Sequence, residues 1–390
     1  MEKTLFYIAC ILIFTRIGGL LSRKMKMPEV LGMLLAGVLL GPAVLHLVPY
    51  NADIKLLSNL GVILLMFLAG LETDLEEFRR AGKSSMVIAS AGIILPLVLG
   101  SAAAWLFFHN FWENIYIGVI LTATSVSITV ETLKELGKLN TKSGINIMGA
   151  AVIDDILGLI LISIVLASAQ TPSSGELAPR LISVGLVFIK ILVFCLISLL
   201  GIVFLPKILN RFLKDRKMDV KILSLTIAFA FLIACGAEML GIAAITGAYL
   251  CGLMFSQVLH KDYLERNIRA ISTGFLSPIF FASVGLEANL EGATTKLLYI
   301  TAVLFLVAVA GKFLGCFTAA RIMHFDRPEA VQIGSGMISR GEVAIITANI
   351  GLQNGIITKE IFLPTLMVVI LTTIVTPVFL KLSFRKKSDT

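Results

Sequence analysis

Nearly the whole chain consists of apolar segments that are long enough to cross a lipid bilayer. Of its 390 residues, 57% are hydrophobic and only 15% are charged, a composition too apolar for a water-soluble domain. A helix needs roughly 20 apolar residues to cross about 30 Å of hydrocarbon. We therefore predict an all-α, multi-pass membrane protein with about 13 transmembrane helices. The predicted spans run approximately 4–22, 30–48, 56–71, 84–108, 115–132, 144–169, 179–206, 220–238, 241–258, 268–286, 297–320, 329–351 and 361–382.

The basic residues indicate how these helices are oriented. Most of the 33 lysines and arginines fall in alternate connections between the predicted spans, and cytoplasmic connections are enriched in both residues. With an odd number of spans, this pattern predicts an N-terminus outside the cell and a C-terminus inside. Because orientation accounts for the net charge of +8, membrane lipids are the expected partners and nucleic acid is not.

The cysteines and histidines indicate neither a disulfide framework nor a metal cluster. All five cysteines lie within apolar segments without paired spacing, and the four histidines lie near segment ends. The sequence also has no cofactor-binding loop and no nucleophile constellation. It therefore predicts neither an enzyme nor a resident cofactor.

A glycine pattern occurs twice in the chain at one spacing. The second span (LGMLLAGVLL) and the ninth (ITGAYLCGLM) align Gly37 with Gly252, 215 positions apart, and the GLE turns at 70–72 and 285–287 share that offset. The ninth span comes seven spans after the second, so the two copies cross the membrane in opposite directions. We predict an inverted-topology repeat of spans 2–6 and 9–13, an arrangement of secondary transporters that places the binding site at the midplane.

The fifth and twelfth spans contain polar or glycine-interrupted runs at equivalent positions of the two repeats. These runs are 122–127 (TATSVS) and 337–342 (MISRGE). Non-helical backbone is tolerated at membrane depth where it lines a cavity, and it can then face a buried ion. We predict two broken crossing helices. For the fifth span, an intact helix whose hydroxyls bond the preceding turn is the alternative.

Two adjacent aspartates, Asp154 and Asp155, lie about 15 Å along the sixth span. Ionised carboxylates at this depth are costly and mark ion or proton pathways. Neighbouring helical positions point about 100° apart, so the two cannot face one partner in the same way. Lys312 in the eleventh span is the predicted ion-pair partner, because it lies too deep for its stem to reach the interface easily. If Asp155 is the aspartate outside that pair, it becomes the predicted carrier of a proton or a small cation.

Together these features resemble the bacterial Na⁺/H⁺ exchangers of the monovalent cation:proton antiporter-2 family, NapA- and GerN-like members included. The resemblance covers essentially the whole chain and rests on AVIDDILGLIL, TATSVSIT, GKFLG, SRGEVA and the twice-used GLE turn. It implies exchange of Na⁺, with Li⁺ or K⁺ as alternatives, for H⁺ across the cytoplasmic membrane. It also implies that Asp155 binds the cation and the proton, and that the Asp154–Lys312 salt bridge breaks on cation binding. An aspartate at position 154 favours electrogenic exchange.

The resemblance also assigns supporting residues at the two breaks. Thr124 and Ser125 are implied at the break of the fifth span, with Ser127 and Thr129 supporting them in the same polar run. Glu342 is implied near the break of the twelfth span. Arg340 lies two positions from Glu342. The two opposite charges either neutralise each other or stabilise the place where the broken helices cross.

The resemblance further implies a homodimer with an elevator-like motion inside a single membrane domain, 1–390. Its core comprises about 84–169 and 297–382, its dimerisation part about 1–71 and 220–286, and a linker helix about 179–206. The core is expected to move relative to the dimerisation part.

Three other functions compete with Na⁺/H⁺ exchange. A K⁺/H⁺ antiporter or K⁺ efflux protein is one, but Kef-like relatives carry a soluble nucleotide-binding domain after the last span, and the chain is not expected to carry one. A sodium-coupled organic anion symporter would need a cationic pocket, which one lysine opposite two acids does not provide. A channel would conduct without proton coupling.

Overall fold

The fold is built from helices that leave few long connections. In a computed structural model, residues 2–169, 177–213, 220–259, 261–288 and 294–385 are described, and these ranges contain no strand. A π-helical turn (Ser272–Leu276) joins the helix Lys261–Ile271 to the helix Ser277–Leu286. The helices are α1 (Glu2–Lys24), α2 (Glu29–Leu40), α3 (Ala52–Glu72), α4 (Leu75–Ala104), α5 (Phe111–Ile120), α6 (Val126–Glu135), α7 (Lys142–Ala169), α8 (Leu177–Leu213), α9 (Val220–Met239), α10 (Ala244–Phe255), α11 (Lys261–Ile271), α12 (Ser277–Leu286), α13 (Thr295–Ile322), α14 (Arg327–Gly336), α15 (Glu342–Gln353) and α16 (Lys359–Ser383).

Within the described ranges, nine helices are long and apolar enough to cross a membrane. Every predicted span contains helix, which confirms the prediction of an all-α membrane fold. The second span is shorter than predicted, because α2 ends at Leu40 instead of continuing to residue 48. Pro42 explains this end, since a proline disfavours the helical conformation of the residue before it, and Gly41 is extended (φ −78°, ψ −172°). With 12 residues each, α2 and α10 are about 18 Å long.

The helices pack in two groups. In the first group, α4 to α7 pack with α13 to α16; in the second, α1 to α3 pack with α9 to α12. Helix α8 contacts α7 of the first group and α10 of the second. The most extensive direct contacts between the groups are made by α6, which touches α2 and α3, and by α16, which touches α2.

The repeated glycines lie where helices of the second group touch most closely. A Cβ at Gly37 of α2 would lie 2.0 Å from the carbonyl oxygen of Ala282 in α12, and a Cβ at Gly252 of α10 would lie 2.1 Å from that of Phe67 in α3. Both distances are far below van der Waals contact. By the 215-residue offset, α2 corresponds to α10 and α3 to α12. The two helix pairs are therefore equivalent crossings, and the glycine repeat follows from the close backbone approach that both require.

Candidate functional site

Two helix breaks meet at the centre of the first group. The chain is non-helical between α5 and α6 and again between α14 and α15, which confirms the predicted broken helices. The backbone N–H of Ser125 donates a hydrogen bond to the carbonyl oxygen of Ser339, at 2.8 Å. A Cβ at Gly341 would lie 2.6 Å from Ser125 Oγ. The glycine thus allows the two breaks to come this close.

The fully buried side chain of Arg340 braces the second break. Its guanidinium donates to the carbonyl oxygens of Ile338 at 2.8 Å and Ala308 at 3.1 Å. A helix that stops inside a membrane leaves carbonyls without intrahelical partners, and a guanidinium carries five N–H donors with which to satisfy them. Thr373 Oγ1 donates to the Arg340 carbonyl at 2.6 Å, which fixes the backbone at the same place. Of the predicted Arg340–Glu342 pair, the Glu342 side chain lies outside the described part of the structure.

Lys312 joins one aspartate to the first break. Its Nζ lies 2.7 Å from Asp154 Oδ1 and donates to the carbonyl oxygen of Thr122, also at 2.7 Å. The lysine side chain is fully buried and that of Asp154 is 2% exposed. Charges so far from water are tolerated when they are paired and hydrogen-bonded. The contact therefore links α13, α7 and the end of α5 through one ammonium group.

The second aspartate faces the other group of helices. Asp155 Oδ2 accepts a hydrogen bond of 2.5 Å from Thr246 Oγ1 in α10. Both side chains are buried, with relative exposures of 5% and 3%. The adjacent aspartates thus point to different neighbours, as their helical spacing requires.

Hydroxyl oxygens surround the break between α5 and α6. Ser125 Oγ and Ser127 Oγ are 3.3 Å apart, and Thr129 Oγ1 donates to the Gly336 carbonyl at the end of α14, at 2.7 Å. Across the described ranges, the buried Thr124 Oγ1 and Ser339 Oγ are among the few side-chain oxygens that have no hydrogen-bond partner. Neutral oxygens of this kind can help to replace the hydration shell of a small cation, as carboxylates and carbonyls do.

Thr246 is not among the site residues predicted from the sequence. A comparison of the two repeats could have indicated it, because the equivalent position in α2 is Leu31 and only one copy therefore carries a hydroxyl. The Thr122 carbonyl was not predicted either, because a backbone acceptor leaves no mark on residue identity. No group of three or more His, Cys, Asp or Glu side chains that could hold a metal ion occurs in the described ranges.

A family model described as the transmembrane sodium/hydrogen exchanger matches residues 10–386. The chain belongs to the sodium/hydrogen exchanger family. The exchanger is 39% identical over 383 residues to the Na⁺/H⁺-K⁺ antiporter GerN of Bacillus cereus, covering 98% of this chain and 96% of that protein. It is 37% identical to a Na⁺/H⁺ antiporter of Enterococcus hirae, with 97% of each chain covered. These relatives are transporters, and the exchanger is likewise a multi-pass membrane transporter and not an enzyme.

The solved structures show the same fold at much lower identity. The exchanger matches the sodium proton antiporter MjNhaP1 of Methanocaldococcus jannaschii, studied by electron microscopy, with a TM-score of 0.73 and 17% identity over 100% of this chain and 99% of the other. A structure of the same antiporter at pH 8 gives a TM-score of 0.67. At this identity the likeness concerns the fold.

Proposed function

We propose that the exchanger moves Na⁺ in one direction and H⁺ in the other across the cytoplasmic membrane, with Asp155 binding each in turn. The observation that carries this proposal is that the two buried aspartates have different kinds of partner. Asp154 is bonded to the Lys312 ammonium, whereas Asp155 accepts from a neutral hydroxyl at the boundary between the helix groups. Asp155 thus faces the second group of helices, and we propose that an ion reaches it from that side.

Competition for Asp155 couples the two fluxes. A carboxylate in a low-dielectric interior needs a compensating positive charge, which a proton or a monovalent cation can supply. Both would bind the same oxygens, so each excludes the other. We propose that the hydroxyls of Thr124 and Ser125 add neutral oxygens to the cation site, while Ser127, Thr129 and Arg340 keep the breaks in place. The transported ions are substrates, and we propose no resident cofactor.

Lys312 has a positioning role in this proposal. By holding Asp154 and the Thr122 carbonyl together, it keeps the break and α7 in register until a cation arrives. We propose that cation binding at Asp155 loosens the Asp154–Lys312 contact, and that the exchange is electrogenic. The resemblance to two-aspartate members of the family supports this second part.

The two groups of helices support an alternating-access model. We propose that the first group is the mobile core and that the second is the dimerisation part, joined by α8 as the linker helix, in a homodimer with its N-termini outside. The ion-binding residues proposed above all lie in the first group, so an elevator-like displacement would carry the site as a unit. Sliding would take place where α2, α3, α8 and α10 meet this group.

K⁺ is a second candidate substrate, because the Bacillus cereus relative is a Na⁺/H⁺-K⁺ antiporter. The oxygen donors of the site can bind Na⁺ or K⁺, and the cavity size would select between them. Comparing exchange rates with Na⁺, K⁺ and Li⁺ in the same proteoliposomes would rank the three ions.

The first test is Asp155→Asn in proteoliposomes that report Na⁺-driven proton movement. The variant keeps the size of the side chain but cannot hold a proton or a negative charge, so we expect exchange to fall to the level of empty vesicles. Asp262→Asn, an exposed aspartate of α11, is the matched control and should transport normally. Full Na⁺-dependent proton movement by the Asp155 variant would exclude it as the carrier.

A further inference from the structure

The contact between Thr246 and Asp155 crosses the boundary between the two groups of helices. Thr246 belongs to α10, which packs on α3 and α9, whereas Asp155 belongs to α7, which packs on α4, α5, α6 and α14; both helices also contact α8. The hydroxyl is therefore contributed by the group that does not contain the aspartates, Lys312 or the two helix breaks.

This hydrogen bond is not the usual one for a buried threonine in a helix. Such hydroxyls commonly bond the carbonyl four residues earlier in their own helix, as Thr226 does with Ile222 at 2.9 Å. Thr246 lies in the first turn of α10, so the residue four positions earlier precedes the helix. Its hydroxyl is instead directed at Asp155 Oδ2. The first turn of a helix also favours a nearby negative charge.

We propose that Thr246 is a gate to the ion site, and that its hydroxyl occupies the Asp155 oxygen that an entering cation must take. The inference rests on the proposed role of Asp155 as the ion carrier. A hydroxyl that donates to a carboxylate oxygen places its hydrogen on one of that oxygen's lone pairs, where a cation would otherwise bind. Na⁺ therefore has to displace the hydrogen bond before both oxygens of Asp155 are fully available to it.

Close packing fixes the position of this hydroxyl. Gly247 lies next to Thr246 in the first turn of α10, and a Cβ there would lie 2.7 Å from Ala237 Cβ and 3.0 Å from the Ile233 carbonyl oxygen, both in α9. This turn thus has little freedom to follow Asp155 if the first group moves. Displacement of the core would break the Thr246–Asp155 bond, so the gate is closed in this conformation and open in one where the groups have shifted.

The experiment measures the Na⁺ concentration for half-maximal exchange (KM) and the maximal rate (Vmax) at alkaline pH, where proton competition is weakest. Thr246→Val removes the donor and keeps the shape of the side chain. Thr246→Ser restores the donor, and Thr226→Val is the matched control, since that hydroxyl bonds its own helix. Thr246→Ala removes the same donor with a smaller side chain, in case valine does not fit.

We expect Thr246→Val and Thr246→Ala to lower the KM for Na⁺ about tenfold, the scale of one hydrogen bond to a charged group. Thr246→Ser and Thr226→Val should keep the KM of the unmodified exchanger. Na⁺-dependent thermal stabilisation in detergent should begin at a correspondingly lower concentration in the two donor-free variants, because a ligand stabilises the folded protein according to its affinity. This readout does not depend on transport.

An unchanged KM in the donor-free variants would show that Thr246 only packs, and a raised KM would show that it binds the cation. Either result overturns the gate. Asp155→Asn separates this failure from failure of the proposed function. If that variant loses exchange and Na⁺ stabilisation while the KM of Thr246→Val is unchanged, only the gate is wrong; if it retains exchange, the carrier assignment itself fails.

Discussion

At the scale of single residues, the site depends on how four buried charged side chains are compensated. Lys312 neutralises Asp154, while the Arg340 guanidinium donates hydrogen bonds to backbone carbonyls. Removing one member of a buried ion pair costs far more than the pair contributes, because the other charge is then left without compensation. This asymmetry makes the Asp154–Lys312 contact the most sensitive pair in the described structure.

Lys312→Ala should therefore lower the free energy of unfolding by about 3 to 5 kcal/mol. Thermal unfolding in detergent measures the loss. The control is Lys83→Ala on α4, an exposed lysine whose removal should leave the melting temperature nearly unchanged. Asp154→Asn together with Lys312→Ala should recover part of the loss, because no buried charge then stays unpaired. Equal stability of the Lys312 variant and the unmodified protein would contradict the pair.

The sequence predicted these charged residues better than it predicted their neighbours. The depth of Asp154 and Lys312 in apolar segments was enough to expect a contact between an aspartate and the lysine, because a buried charge requires a partner. Thr246 was missed because threonine is common in membrane helices, and burying its hydroxyl costs little free energy compared with burying a charge. Which hydroxyl reaches Asp155 depends on how α10 packs beside α7, and a periodic pattern does not contain that information.

At the scale of helices, the glycine repeat controls how closely α10 approaches α3. A methyl group at Gly252 would overlap the backbone oxygen of Phe67, and backbone cannot move aside as a flexible side chain can. The same argument applies to Gly37 and Ala282 at the equivalent crossing. The repeat could be recognised in the sequence, but its physical cause is visible only in the packed helices.

Gly252→Ala should lower the free energy of unfolding by about 1 to 3 kcal/mol, the typical cost of overpacking. Gly236→Ala in α9 is the matched control, since a Cβ there meets no atom within 4 Å. That substitution should leave stability unchanged or raise it by up to about 1 kcal/mol, because alanine is the better helix former. Equal melting temperatures for the two variants in detergent would argue against close contact at Gly252.

At the scale of the whole molecule, an ion-pair network connects the two groups of helices. Glu72 at the end of α3 lies 2.9 Å from Arg269 of α11 and 3.5 Å from Lys134 of α6. Lys134 also lies 3.6 Å from Glu131 of its own helix. Since α6 belongs to the first group and α3 to the second, relative motion of the groups requires the Lys134–Glu72 contact to open.

Glu72→Gln weakens this contact without changing the ion site. If opening limits the cycle, Vmax should rise about two- to fivefold, because a change in barrier of about 1.4 kcal/mol is worth tenfold and a neutral amide removes only part of the attraction within this largely buried pair, whose side chains are 8% and 11% exposed. The KM for Na⁺ should stay constant, since the network does not touch Asp155. Glu76→Gln is the control, because Glu76 is exposed and pairs only weakly with Arg80 of its own helix. A lower Vmax would count against an inhibitory contact.

The overall architecture was partly predictable. Apolar length alone predicted helix in all thirteen spans, and polar interruptions predicted both breaks, because these features follow from what a bilayer tolerates. Most of the polar helix α11 lies outside the predicted spans. The end of α2 at Leu40 depends on Pro42. The predicted second span, 30–48, followed hydrophobicity alone and did not include this effect of the proline. The assignment of a mobile core and a fixed dimerisation part stays a prediction.

The shortness of α2 and α10 has an electrical consequence. Twelve residues each make about 18 Å of helix, against about 30 Å of hydrocarbon in the surrounding bilayer. If water fills the space beyond the ends of these helices, a membrane voltage falls over a smaller distance there and its electric field is steeper. A cation released from Asp155 beside α10 would then cross a large share of that voltage within a few ångströms.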